Sequence, residues 1–178
     1  MKKLITILLL INFSLFYSQK LDLPIEKKVQ SIILKNKKPK IIEVPFSKDN
    51  EVIIDYGNGV VEYRKKHREN FDRINIYYFV DDKLVYLKQK GLYDVVYQGK
   101  LSENPTIGEP FESLTLYKSD SVDYYERRID LHKNDNIDLV KKNLLDKKFE
   151  FRKISNSSYE RELNNYNFNV KIYLNMKL

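Results

Sequence analysis

Cysteine is absent from the 178 residues. That excludes disulfides, thiol nucleophiles and thiolate metal sites, and it removes the lipidated cysteine that anchors a bacterial lipoprotein. A domain of this kind must be held by its core alone. Histidine occurs only as His67 and His132, far apart in sequence and outside any His-Glu-x-x-His spacing. Glycine and proline are scarce, five of each. No two glycines open a predicted helix, so there is no glycine-rich phosphate loop, and the chain is neither loop-rich nor low in complexity. No serine sits in a nucleophile elbow. No apolar run reaches the ~20 residues of a membrane-spanning helix, and no repeat of fixed period is present. The sequence therefore implies no cofactor, no metal site and no recognisable catalytic set.

What is abundant is aromatic and charged. Tyrosine (14) and phenylalanine (9) suit the faces of β-sheets. Basic residues exceed acidic ones, 32 to 25, but the two signs alternate along the chain, which favours solubility over a single-sign patch. The cluster Arg64-Lys65-Lys66-His67-Arg68 is read as a solvated flank of a hairpin rather than an anion contact. The chain opens Met1-Lys2-Lys3 and then runs apolar from Leu4 to Phe16. A basic start followed by a short apolar stretch describes a secretory signal peptide, expected over residues 1–18, with a single domain over 19–178 and no transmembrane helix after its removal.

Periodicity then gives the elements. Pro24 opens a predicted helix to about residue 36, with Ile25, Val29, Ile32 and Ile33 on one face. Ile41–Val44 reads as an edge strand stopped by Pro45. Asn58-Gly59 is a two-residue hairpin turn, expected to pair Tyr56 with Val61 and Ile54 with Tyr63. A second hairpin turns at Asp81-Asp82, with Ile74, Ile76, Tyr78 and Val80 alternating into the core. Gly91 is expected to end its second strand, Tyr93–Tyr97 to add a third, and residues 102–110 to form a long loop. A strand is favoured over residues 122–131, a helix over 136–147 capped by Asp135 or Asn136, a short strand at Phe149–Ile154, and a turn at Asn156-Ser157-Ser158. The last thirteen residues carry the clearest pattern of all. Tyr166, Phe168, Val170, Ile172, Leu174, Met176 and Leu178 alternate with polar residues, the period-2 signature of a long strand closing the sheet. The expected fold is α+β: a mainly antiparallel meander of hairpins with a long C-terminal strand, an N-terminal helix and a short helix near 136–147. An all-β sandwich is the rival.

The second face of the 74–87 hairpin is also apolar, and there Tyr77, Phe79 and Tyr86 are the candidate binding face, with Tyr124 and Tyr125 as further candidates. Such a face is either covered by a helix or used as an aromatic contact platform. Carboxylate pairs at Asp81/Asp82, Asp120/Asp123 and Glu160/Glu162 read as turn and surface residues. The expectation is a secreted or periplasmic, non-enzymatic binding protein whose partner is a protein or an envelope component. Nucleic acid is not expected, since an exported protein seldom meets it. The alternatives are a small outer-membrane β-barrel, suggested by the terminal alternating stretch, and a hydrolase with an unrecognised site.

Overall fold

Nine antiparallel strands follow one another across a single sheet in nearly the order in which they are made. The structure is a computed structural model, and it describes residues 23–175 apart from 46, 48, 49, 69, 70, 96–103, 120 and 156. The expected signal segment lies outside the described residues. The strands are β1 (Lys40–Glu43), β2 (Val52–Gly57), β3 (Val60–Arg68), β4 (Phe71–Val80), β5 (Lys83–Asp94), β6 (Thr106–Tyr117), β7 (Val122–Arg128), β8 (Leu131–His132) and β9 (Glu150–Ile154). Spatial order is β1-β2-β3-β4-β5-β6-β7-β9, with the two-residue β8 paired to the start of β6. The path has two ends, so the sheet is open. The α+β meander is what the sequence led us to expect, and the single sheet with helices on it removes the sandwich.

Helices cover both faces. α1 (Pro24–Lys35) starts on Pro24, whose missing N–H costs nothing in the first turn. Its Val29, with Ile25, Ile32 and Ile33, packs on Val60, Ile76, Tyr78, Tyr86 and Leu114. α2 (Ile137–Asp146) is capped by Asn136, whose side chain accepts from the Leu139 N–H at 3.1 Å. It closes a small cluster of Phe71, Leu92, Leu131 and Val140. α3 (Ser157–Tyr166) runs on through a π turn, Asn167–Lys171, into a last turn at Ile172–Leu174. Tyr166 and Val170 cover Ile53, Val61, Tyr63, Tyr77, Leu87, Tyr117 and Val122 on the other face.

The closing strand expected from Tyr166 onward is therefore a helix as far as it is described; residues 176–178 lie outside. The alternating run hides a second period. Tyr166, Val170 and Leu174 recur every four residues, and Tyr159 and Glu162 extend the same stripe backwards. The stripe faces the sheet while Phe168 and Ile172 face water. A regular helix turns about 100° per residue, so residues four apart drift around it. The wider π turn takes back that drift and keeps the stripe aligned. Asparagines 165, 167 and 169 are poor strand formers but are accommodated on the helix away from the buried stripe, Asn165 and Asn167 exposed and Asn169 partly so. Of the turn expected at 156–158, Ser157 and Ser158 are instead the start of this helix, and residue 156 lies outside the described residues.

Two bulges correct the expected facings. The Asn58-Gly59 turn is present, but Gly57 pairs with Val60 and Asp55 with Val61, leaving Tyr56 as an extra residue. Ile53, not Ile54, then shares the α3 face with Tyr63. Asp81-Asp82 also turns as expected, both at positive φ. Phe79 pairs with Leu84 and Tyr78 with Tyr86, so Val85 is the extra residue. β5 does not stop at Gly91 but runs to Asp94, because Gly91 lets the Phe111 ring lie across the strand where a side chain would crowd it. β6 likewise begins at Thr106, inside the expected loop.

Candidate functional site

Tyr77, Phe79 and Tyr86 do not form one exposed platform. The Val85 bulge sends Tyr86 to the α1 face, while Tyr77 and Phe79 lie on the α3 face. Tyr77 is 1% and Tyr86 0% exposed. Both Tyr77 and Phe79 sit against the Tyr166 ring. Each face needed a helix to bury it, and each has one. The backbone of His67 lies in β3 and its side chain lies outside the described residues. His132 sits at the β8 turn with its Nδ1 3.2 Å from Asp135 Oδ2. Among the described residues no group of three His, Asp or Glu side chains is placed to hold a metal.

The uncovered part of the α3 face is polar, and strand register explains why. One cross-strand row reads Tyr77, Leu87, Thr115, Tyr124, Arg152 from β4 to β9. The next reads Asn75, Gln89, Ser113, Glu126. Apolar residues lie under α3, and polar ones extend beyond it. With the first turn of α3, Gln89, Thr115, Tyr124, Glu126 and Arg152 from these rows border an open cleft of about 470 Å³ lined also by Tyr93, Arg128, Ser157, Ser158, Arg161 and Glu162.

Glu126 organises the floor. Its side chain is almost fully buried. Tyr124 Oη donates to its Oε1 at 2.7 Å, Tyr93 Oη donates to the same oxygen at 3.1 Å, and Arg152 Nη2 donates to Oε2 at 2.5 Å. A buried carboxylate is tolerated only with such partners. Burial, and then the neighbouring Tyr124 and Glu126, push the Tyr93 hydroxyl well above its ordinary pKa; burial and then Glu126 also raise that of Tyr124. Both phenols thus stay protonated donors. The Tyr93 ring is stacked on Phe111 at 4.0 Å, and the Arg152 guanidinium lies over the Tyr124 ring. Across the cleft, Glu162 accepts from Arg161 Nε at 3.2 Å and from Asn165 Nδ2 at 3.3 Å. Glu162 also borders a second hollow of about 410 Å³ on the far side of α3, with Tyr63, Arg73 and Asn75. The Gln89 amide donates to Asn75 Oδ1 at 3.4 Å beneath the helix, joining the two polar regions.

Fixed phenolic and guanidinium donors, carboxylate acceptors and an aromatic wall suit a polar ligand rich in hydroxyl or charged groups. The sequence offered Tyr124 only as an addition to the aromatic platform and Glu162 only as a surface charge, and the other polar residues were missed because a polar residue at every second strand position looks like the solvated side. The available signal was the small polar pair Ser113 and Thr115 inside an otherwise bulky strand, which leaves room above a sheet. No family model matches the chain, and comparisons with characterised proteins and with solved structures gave no match.

Proposed function

We propose that the protein is an exported, non-enzymatic binding protein of the periplasm or the extracellular space, and that it takes an envelope component into the cleft between α3 and strands β5, β6, β7 and β9. The observation that carries the reading is the Glu126 cluster: a buried carboxylate fully engaged by Tyr93, Tyr124 and Arg152 at the floor of an open cleft. A group so committed is a rigid recognition element rather than a free acid or base. Export is supported by the basic-then-apolar opening of the chain. The open edges of the sheet speak against a barrel in lipid, where every strand edge must be paired. The test compares binding of the purified protein and its Tyr124→Ala variant to separated envelope saccharide, lipid and protein fractions. Retention of one fraction by the wild type, lost in the variant, is expected. Equal retention by both, or by neither, overturns the proposal.

A second reading, a hydrolase, is favoured by one observation: a second carboxylate, Glu162, lines the same cleft as Glu126. Turnover of an envelope saccharide that disappears in both Glu126→Gln and Glu162→Gln would select it over the first.

A further inference from the structure

The two ends of the sheet are not alike. β1 and β9 each pair with one neighbour, so each has an outer row of backbone groups with no strand beside it among the described residues. On β9 the direction of those groups follows from the ladder. The Ile129 N–H donates to Pro110 O, one step beyond the Phe111–Arg128 pair. Bonding direction alternates along an antiparallel strand, so Asp123, Tyr125 and Arg127 bond to β6, while Val122, Tyr124 and Glu126 bond to β9. Their partners Ile154, Arg152 and Glu150 turn inward. Phe151 and Lys153 therefore point N–H and C=O outward. The side chains at this edge carry charge of both signs. Residues 150–153 are all exposed. Phe151 leans on Tyr125 on the α1 face, yet is 54% exposed. Glu150 and Arg152 lie on the α3 face. Glu150 stands opposite Glu126, a like charge, and no cation pairs with it among the described residues. Arg152 spends Nη2 on Glu126, and the rest of its guanidinium is open.

We infer that β9 pairs with the β9 of a second copy, antiparallel about a two-fold axis at Phe151, so that two sheets join into one. Such an axis runs through the sheet and keeps each face on its own side, so opposed residues share a face. Registers centred on Glu150, Arg152 or Lys153 set a like charge against itself, and one centred on Ile154 overlaps too few residues. Centring on Phe151 sets Glu150 against the partner's Arg152, twice, and ring against ring. Phe151 then exchanges both backbone bonds with the partner's Phe151. The β1 edge offers no such match: Lys40 and Glu43 lie on opposite faces and cannot meet across a two-fold. The pairing does not depend on what the cleft binds, but it brings the partner's Glu150 to Arg152 at the cleft rim and opens both clefts on one face.

The test is sedimentation equilibrium of the purified protein over a wide concentration range. A reversible dimer is expected. Glu150→Lys sets a lysine against the partner's arginine twice and is expected to weaken the dimer by at least about tenfold. Phe151→Pro removes the outward donor at the centre of the pairing and leaves the β7 ladder whole, so it is expected to weaken the dimer by about as much. Far-ultraviolet circular dichroism matching the wild type shows that both variants fold. Because the chain has no cysteine, Phe151→Cys gives an independent reading. Mild oxidation is expected to link two copies through it, and to link none through Phe168→Cys, which is exposed on the π turn. A monomer at every concentration overturns the pairing and leaves the edge to a strand of another protein. A dimer that survives Glu150→Lys and Phe151→Pro, or crosslinks equally through Phe168→Cys, uses another surface and overturns it as well.

Discussion

The ring of Tyr166 packs on the ring of Phe79 with their centroids 4.5 Å apart. This contact fixes where the C-terminal segment lies, and so where the cleft is. α3 crosses the sheet over β3 and β4, and its first turn stands beside β7 and β9.

The helical path makes a prediction that a strand would not. In a strand Phe168, Val170 and Ile172 share one face. In the helix Val170 is fully buried while Phe168 is 78% exposed. Val170→Asp is expected to destabilise the fold by at least about 3 kcal/mol, the order of an uncompensated buried charge. Phe168→Asp is expected to cost less than about 1 kcal/mol, as surface substitutions do. Urea midpoints check this. Equal losses for the two variants would restore the strand.

The first hairpin gives a second pair of variants. Gly57 and Gly59 both have positive φ, +73° and +77°. A Cβ at Gly57 meets nothing, whereas a Cβ at Gly59 collides with the carbonyl of Phe79, whose N–H donates to Gly59 O at 2.9 Å. Gly57→Ala is expected to cost about 1–2 kcal/mol from the left-handed backbone alone. Gly59→Ala adds a backbone clash that no rotamer relieves, so its loss of stability is at least twice as large. Thermal or urea unfolding of the two proteins decides. A Gly59→Ala protein as stable as Gly57→Ala would mean that β4 does not hold the turn.

These turns also show where the sequence was legible. Asn58-Gly59 and Asp81-Asp82 are local signals, because two adjacent positive φ values need residues that tolerate them. α1 and α2 were legible through Pro24, Asn136 and their apolar stripes. The bulges at Tyr56 and Val85 were not, since an inserted residue leaves no local mark and each shifts the facing of half a hairpin. That single shift carried Tyr86 away from Tyr77. The C-terminal helix was masked because its stripe of every fourth residue is a subset of a period-2 pattern. The cleft was masked for a third reason: Gln89, Ser113 and Glu126 come from three strands and become neighbours only through pairing.

The last prediction concerns the charges beneath α1. Glu112 accepts from Arg127, and its Oε1 lies 3.0 Å from Lys88 Nζ and 3.3 Å from Lys90 Nζ; Lys88 also meets Glu26 at 2.5 Å. Burial by itself raises the Glu112 pKa, but Lys88, Lys90 and Arg127 outweigh it and bring the carboxyl from 4.5 down to about 2. A depressed folded-state pKa means stability that is present above the unfolded value and lost as the pH falls through the folded one. The contribution is on the order of 3 kcal/mol, withdrawn between about pH 4.5 and 2. Glu112→Gln removes it at every pH and leaves Lys88 and Arg127 short of a counter-charge. The variant is thus expected to be less stable near neutrality and to lose less than the wild type on acidification. Other carboxylates titrate in both proteins, so the difference between their unfolding curves across this range isolates Glu112. Parallel pH profiles would show that the lysine and arginine contacts do not hold this carboxyl ionised.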